Sequence, residues 1–251
     1  METQTPVITS ISLPPAPASL SAYDAGPGRR VTGPPLETLW EVSPQQRWRL
    51  GLLQSAQDPA RQLYLDESIV ILSDSIPKSR HHYLVLPLEP IDTVQDLTVE
   101  HVPLLRHMIR QAQCFADEHI RPKTHYPLVL GFHTIPTFIR LHMHIITVDF
   151  QGPGTVVPAD YRSFSHSALF MEPERAIAIL EAEGQIVVDK EQAKLVKTDL
   201  TEHLQCVFCQ QEFPANKMAD LKKHLAGHEA DLHAAEKEDA DAGYVCRFQA
   251  D

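Results

Sequence analysis

The sequence predicts an α+β domain with a mainly antiparallel sheet, followed by a small metal-binding module. Strand and helix patterns come in the order strand, strand, helix, strand, strand, helix, and a set of paired cysteines and histidines follows them. At 251 residues the chain can hold one core of about 150 residues and a small module. We therefore divide it into residues 1–36, 37–188, 189–230 and 231–251.

The predicted elements of the main domain follow from periodicity and turn residues. Two β-branched runs, 68–74 and 83–88, are joined by a short Pro-containing turn and indicate a hairpin. Apolar residues recur on one face of 98–119, which predicts a helix with Thr98 as its N-cap. The remaining elements are two further strands and a short helix, predicted at 128–132, 141–149 and 173–183.

The two ends of the chain differ from its middle in composition. Residues 1–36 hold seven of the twenty prolines and show no apolar period. Such a segment buries too little surface to offset its ordering entropy, so we expect it to be disordered. Residues 229–251 carry seven acidic and two basic side chains, a net charge of -5. We therefore expect 231–251 to be a solvated acidic tail.

Charge and cysteine usage limit the function classes. The net charge of -11 argues by itself against a nucleic-acid partner, but the tail carries much of that excess. Cys114 and Cys246 are isolated in the sequence, which favours a reducing compartment, the cytosol or the nucleus. No apolar run approaches the roughly 18 residues that span a bilayer, and we expect neither membrane association nor secretion.

The clearest motif is a pair of cysteines followed by a pair of histidines. Two residues separate the cysteines, fourteen lead to the first histidine, and three separate the histidines. Two thiolates on a tight turn and two imidazoles one helical turn apart can converge on a tetrahedral zinc. We predict one structural zinc ion, with Phe213 and Leu221 as the module's core, and the ligands Cys206, Cys209, His224 and His228. Ordinary surface histidines on a helix would leave the cysteines unexplained.

The role of this zinc finger has more than one interpretation. Many fingers are only structural or bind proteins, and a single finger covers about three base pairs of DNA. An accessory DNA clamp is the role we favour, because three lysines on the finger offer positive charge to phosphates. The predicted DNA contacts are Lys217, Lys222 and Lys223.

The second motif is a row of basic side chains on a predicted strand. Alternation places Arg140, His142 and His144 on one face and the apolar residues between them on the other. A neutral imidazole is a good nucleophile near neutral pH, and neighbouring cationic groups can stabilise charge on phosphoryl oxygens. Two histidines in this spacing are equally typical of metal ligands or of hydrogen-bonded structural residues.

Here the sequence resembles a known family. The run RLHMHII at 140–146 is similar to the histidine-triad signature H-φ-H-φ-H-φ-φ, with Arg140 in the first position. LGFHTIP at 130–136 and PKSRHHYLVLP at 77–87 resemble runs of the aprataxin family, and QDP at 57–59 and YRSF at 161–164 also have counterparts. The likeness extends from about residue 48 to 228. It implies a histidine-triad catalytic domain at 37–188 and the zinc finger module with its linker at 189–230.

The resemblance also implies roles for individual residues. His142 would attack the phosphorus of an adenylate, and His144 and His133 would contact the phosphate. Asp74 falls where the family holds the ribose. The nucleotide-binding set that we predict is Asp74, Lys78, Arg80, His82, Thr137 and Arg140. Other interpretations are a turn residue for Asp74, a solvated lysine for Lys78 and a core histidine for His82.

The function implied by the resemblance is DNA repair. We expect a monomeric nuclear hydrolase that removes AMP from abortive ligation intermediates, and GMP from capped DNA ends, through a nucleotidyl-histidine. The Pro-rich opening leaves no room for the N-terminal phosphopeptide-binding domain of human-type aprataxins, so we expect the fungal type. The alternatives are a small-molecule dinucleotide or phosphoramidate hydrolase and a non-catalytic DNA-end binding protein. Arg140 is the main departure, and we expect its backbone carbonyl to orient His142.

Overall fold

The computed structural model of the protein describes residues 51–199 and 203–241, with side chains up to 234. The Pro-rich segment 1–36 and residues 242–251 of the acidic tail lie outside the described residues. The main domain contains one antiparallel sheet in the order β1-β2-β3-β5-β4-β6. Its strands are β1 (Gln62–Leu65), β2 (Ile69–Ser73), β3 (His82–Pro87), β4 (Leu128–His133), β5 (Met143–Thr147) and β6 (Phe170–Met171).

Both faces of this sheet are covered. The α-helices are α1 (Gly51–Gln57), α2 (Val102–His119), α3 (Pro158–Ser165), α4 (Pro173–Glu183), α5 (Lys190–Thr198) and α6 (Met218–Asp241). Helices α2 and α4 pack on one face in the largest core cluster, which includes Ile69, Ile71, Val85, Met143 and Ile145. The residues between these point to the other face, where α1 packs on Val70, Leu72, Leu84 and Leu86. Alternation therefore divides the residues of β2 and β3 between these two cores.

The α+β fold is confirmed, and most predicted elements differ from the observed ones only at their ends. The predicted helix 98–119 is α2 preceded by a 3-10 turn at Val99–His101, and the predicted helix 173–183 is α4 without change. The strand predicted at 141–149 is shorter and comprises Met143–Thr147, and positive φ angles at Arg140 (92°) and Phe150 (50°) interrupt the extended backbone beyond its two ends. Helices α1, α3 and α5 were not predicted, and α5 lies in the segment interpreted as a linker.

The segment with the paired cysteines and histidines folds as a hairpin followed by a helix. Strands β7 (Leu204–Gln205) and β8 (Glu212–Phe213) pair, and α6 packs on them. The predicted core residues Phe213 and Leu221 are buried, and they belong to one cluster with Ile146, Phe150, Tyr161 and Phe164 of the main domain. The finger therefore shares its apolar core with the sheet.

The first part of the predicted acidic tail is helical. Residues 231–241 continue α6, and the side chains of 231–234 are exposed or half-buried. Alanine, glutamate and lysine are good helix formers, and they are frequent in this stretch, so the finger helix propagates through it. Within the described part of the chain, no helix has both the length and the apolar character needed to cross a membrane.

Candidate active site and metal centre

Three strands bring four histidines together. His82 begins β3, His133 ends β4, His142 precedes β5, and His144 lies within β5 between its neighbours on β3 and β4. The ring of His144 is central: its centroid lies 5.1 Å from that of His82, 4.5 Å from that of His133 and 4.9 Å from that of His142. The predicted catalytic residues therefore form one cluster, and His82 belongs to it.

The tautomer of His142 is set by the backbone. Its Nδ1 lies 2.8 Å from the carbonyl oxygen of Arg140, and a carbonyl can only accept, so Nδ1 carries the proton. Burial lowers the pKa of His142, which keeps the ring neutral at pH 7. Its Nε2 then has a free lone pair. The expectation that the carbonyl of residue 140 orients this ring is confirmed.

A second chain of hydrogen bonds sets the tautomer of His144. The backbone N–H of Lys78 donates to Nδ1 of His82 (3.1 Å), so the proton of His82 is on Nε2 and is donated to Nδ1 of His144 (2.8 Å). The proton of His144 is consequently on Nε2. This nitrogen is buried and has no hydrogen-bond partner within residues 51–199 and 203–241. The Nε2–H of His144 can therefore donate a hydrogen bond to an acceptor that enters the site.

The surroundings of the cluster are apolar. The ring of Phe164 lies against three of the histidines, with centroid distances of 5.4 Å to His82, 4.6 Å to His133 and 5.1 Å to His144. Burial, with the nearby charges of the other histidines, lowers the pKa of His82 and of His133 to about 3 and that of His144 well below its usual value. Phe164 was not predicted as a site residue, although it is the last residue of the YRSF run at 161–164.

Asp74 lies beside this chain. One carboxylate oxygen is 3.5 Å from Nδ1 of His82, and the other accepts from the N–H of Ile76. Burial raises the pKa of Asp74. By distance, Asp74, His82 and His144 could also hold a cation, since their ligand atoms lie within 4.8 Å of one another. Nδ1 of each histidine already accepts a hydrogen bond, so a metal would have to displace both.

Lys78 and Arg80, which were predicted to bind the nucleotide, form ion pairs with acidic residues of the protein. Lys78 is half-buried, and its Nζ donates to the carbonyl of Gly154 and pairs with Asp160 at 2.7 Å. Arg80 is exposed and pairs with Glu229 of α6 at 2.6 Å. Its guanidinium also lies 5.8 Å from the centre of the Tyr126 ring. Neither Asp160 nor Glu229 was identified from the sequence.

Arg140 and Thr137 lie on the segment between β4 and β5. The buried guanidinium of Arg140 donates through Nη1 to the carbonyl of Glu89 (3.0 Å), while its Nε has no partner among the described residues. It lines a small cavity with Leu86, which is on the same sheet face as His82. Arg140 precedes β5 with a φ angle of 92°, so the strand alternation from which a shared face was predicted does not extend to it. Thr137 is exposed.

The four predicted metal ligands converge. Cys206, Cys209, His224 and His228 place their ligand atoms within 4.8 Å of one another. The Sγ of Cys209 is 3.1 Å from Nε2 of His224, and the two histidine Nε2 atoms are 3.2 Å apart. These are distances expected along the edges of a small tetrahedron around a metal ion, so the set could hold one.

The three finger lysines differ in their surroundings. Lys217 and Lys223 are exposed, and Lys217 has a long contact of 3.9 Å with Asp220. Lys222 instead donates to the carbonyls of Gly152 (3.2 Å) and Thr155 (3.1 Å) of the main domain. The structure thus leaves two of the predicted DNA contacts facing solvent and turns the third inward.

The family profile described as "Scavenger mRNA decapping enzyme C-term binding" matches residues 47–157. Aprataxin of Danio rerio is 36% identical over 72% of this chain, and aprataxin of Gallus gallus is 32% identical over 83%. The chain spans 53% and 63% of the length of these two relatives.

Solved structures share the fold. The structure described as Hnt3 in complex with DNA and guanosine is 22% identical, with a TM-score of 0.58 over 75% of this chain and 98% of that one. The aprataxin ortholog Hnt3 from Schizosaccharomyces pombe gives a TM-score of 0.51 at 22% identity, over 72% and 90% of the two chains. With the relatives and the clustered histidines, these matches make the chain an aprataxin-like protein of the histidine-triad fold.

Proposed function

We propose that this protein is a DNA-repair hydrolase that removes AMP from 5′-adenylated DNA ends, and GMP from capped ends. The observation that carries the proposal is the pairing of a neutral His142, whose Nε2 is unprotonated, with the N–H of His144, which is buried and unpaired within the described chain. A nucleophile beside a hydrogen-bond donor is what nucleotidyl transfer requires. The relatives named aprataxin, and the structure of Hnt3 with DNA and guanosine, support this substrate class.

The reaction we propose has two steps. In the first, Nε2 of His142 attacks the adenylate phosphorus, an N–P bond forms, and the bond to the bridging oxygen breaks, which releases DNA with a free 5′-phosphate. The Arg140 carbonyl stabilises the positive charge that develops on the ring. In the second step water attacks the phosphorus, the N–P bond breaks, and AMP leaves. The N–H of His144 stabilises charge on a phosphoryl oxygen in both steps.

The remaining site residues would bind and orient the substrate. We propose that Asp74 accepts from the ribose hydroxyls and that His133 contacts the phosphate. The contacts to the nucleotide and the adjacent DNA would come from Lys78, Arg80, Thr137 and Arg140. His82 acts through His144, since its ring touches that histidine and fixes its proton on Nε2.

We propose that the finger binds one structural zinc and places positive charge along the DNA. The two-thiolate, two-imidazole donor set is typical of structural zinc, and all four donors are used, which leaves no open position for chemistry. Exposed Lys217 and Lys223 are suited to phosphate contacts. The protein would act as a monomer in the nucleus.

The test is incubation of purified protein with 5′-adenylated nicked DNA and, separately, with diadenosine tetraphosphate. We expect AMP release from the DNA and, in samples quenched with denaturant at alkaline pH, an AMP–protein adduct that survives alkali and is hydrolysed by acid, neither of which His142→Ala gives. Preferential cleavage of the dinucleotide would indicate a small-molecule hydrolase. Tight DNA binding without AMP release would indicate a non-catalytic DNA-end binding protein.

A further inference from the structure

Lys222 ties the finger helix to the main domain. Its Nζ donates to the carbonyls of Gly152 and Thr155, and its own carbonyl accepts from Nε2 of Gln151 at 2.8 Å. One residue of α6 thus makes three hydrogen bonds to a loop 67 to 71 residues earlier in the chain. A lysine whose ammonium is satisfied by two backbone carbonyls is poorly available to a DNA phosphate.

That loop is joined tightly to the segment that carries Lys78. The N–H of Gly152 and the hydroxyl of Thr155 both donate to the carbonyl of Lys78, at 3.1 and 2.6 Å, and the N–H of Gly154 donates to the carbonyl of Pro77. A Cβ on Gly152 would lie 2.2 Å from the Pro77 carbonyl oxygen, so the two segments approach as closely as glycine allows. Displacing one segment therefore displaces the other.

The second segment ends on the catalytic histidines. The backbone N–H of Lys78, the residue whose carbonyl the loop holds, donates to Nδ1 of His82, and His82 in turn donates to His144. The contacts thus run without a gap from Lys222, through the loop and the Lys78 peptide, to the imidazole N–H that faces the reacting phosphate in the proposed function.

We propose that Lys222 is a positioning residue that couples the docked finger to the protonation pattern of His82 and His144, and not a DNA contact. Loss of its ammonium removes the Lys222 donor from both carbonyls and leaves the Gly152 carbonyl with the N–H of Thr155 at 3.2 Å, which loosens the loop. The Lys78 N–H then no longer holds His82 in one tautomer. This inference rests on the proposed function only for its activity readout.

The kinetic test compares three methionine variants, which keep most of the apolar stem and remove the charge. Lys222→Met should lower kcat on 5′-adenylated DNA by about 10- to 100-fold with little change in KM, because small displacements of reacting groups have effects of this size. Lys223→Met, an exposed neighbour predicted to touch DNA, should raise KM. Lys194→Met, an exposed lysine of α5 paired with Glu191, serves as the neutral control.

Two further measurements separate positioning from loss of structure. Zinc content should be equal in wild type and Lys222→Met, and Lys222→Arg, which keeps charge and donors, should recover most of kcat. In ¹⁵N-histidine NMR of the zinc-loaded protein, wild type should show both His82 and His144 protonated on Nε2. Lys222→Met should show a mixture of Nδ1 and Nε2 tautomers at these residues.

The outcomes distinguish this inference from the proposed function. A raised KM with unchanged kcat in Lys222→Met, or unchanged histidine ¹⁵N shifts, would overturn the positioning role. If the wild-type protein releases no AMP from adenylated DNA, the proposed function fails, and the ¹⁵N shifts alone decide whether Lys222 sets the tautomers.

Discussion

The carbonyl oxygen of Arg140 lies 2.8 Å from Nδ1 of His142 and thereby decides which nitrogen of that ring can react. The φ angle of 92° at Arg140 turns the backbone two residues before His142, and β5 begins at Met143. A left-handed conformation in a residue other than glycine is uncommon, and here it coincides with the point where the ring of His142 is oriented.

His142→Ala should abolish AMP release, by at least about 10³-fold, because His142 is the nucleophile of the proposed covalent step. Binding of nicked DNA should persist, since the finger and its lysines are untouched. Single-turnover assays and a binding titration on the same preparation measure the two effects. Near-normal turnover in this variant would exclude the nucleotidyl-histidine mechanism.

Stability should fall as the pH is lowered from about 6.5 towards 3. The pKa values of His82 and His133 are lowered to about 3 in the folded protein, mainly by burial, so below pH 6.5 the unfolded chain binds protons that the folded chain does not. Above pH 6.5 the effect is absent. Each group contributes a slope of about 1.4 kcal/mol per pH unit within this window.

Urea unfolding at pH 7, 6 and 5 measures this slope. His133→Gln removes one of the two groups and should reduce the slope by about 1.4 kcal/mol per pH unit relative to wild type. Loss of zinc at low pH affects both proteins alike, so their difference isolates the histidine. Equal slopes in the two proteins would contradict the burial of a neutral His133.

Metal removal should affect more than the finger. Zinc binding to such a set contributes free energy on the order of 10 kcal/mol, and the finger's apolar core is continuous with Ile146 and Phe164 of the main domain. We expect Cys206→Ala or a chelator to weaken DNA binding and also to lower the unfolding temperature of the main domain. Calorimetry with and without chelator tests this, and an unchanged main transition would mean that the two units unfold independently.

Glu229→Gln should strengthen DNA binding. Glu229 pairs with Arg80 at 2.6 Å, and both side chains are 45% exposed, so the pair is weak and a DNA phosphate can compete for the guanidinium. Without the carboxylate we expect a several-fold lower Kd and a salt dependence steeper by about one ion. Glu181→Gln, which breaks the similarly exposed pair with Arg106, is the matched control for the change in charge. An equal gain in both variants would indicate only the lower net negative charge.

The sequence predicted the parts of the site that follow from regular spacing. Alternation placed His142 and His144 on one sheet face, and the spacing of Cys206 and His228 brought the metal ligands together. The contacts that tune the site were not predictable in this way. Lys222 meets backbone carbonyls about 70 residues away, and any residue type could supply those carbonyls, so no side-chain pattern marks them. The same holds for Phe164, which reaches the histidines only through the docking of α3.

Arg140 stands at the position where the triad signature has histidine. If the first position acted as a catalytic acid, its loss would leave the protein inactive. The structure instead gives this residue a backbone contact, through its carbonyl, and a packing contact, because its guanidinium donates to the Glu89 carbonyl two residues after β3. A guanidinium cannot act as a general acid near pH 7.

Arg140→His should therefore keep turnover within roughly tenfold, which is about 1.4 kcal/mol in barrier height. Histidine is among the residues that tolerate a positive φ, so the carbonyl that orients His142 stays in place. Arg140→Ala removes the tie to Glu89 and the only charge on this segment between β4 and β5, and it should chiefly raise KM for adenylated DNA. Steady-state kinetics of wild type, Arg140→His and Arg140→Ala on the same adenylated DNA measure kcat and KM for this comparison. A large gain in kcat with histidine, or no activity in the natural arginine form, would assign the first position to catalysis after all.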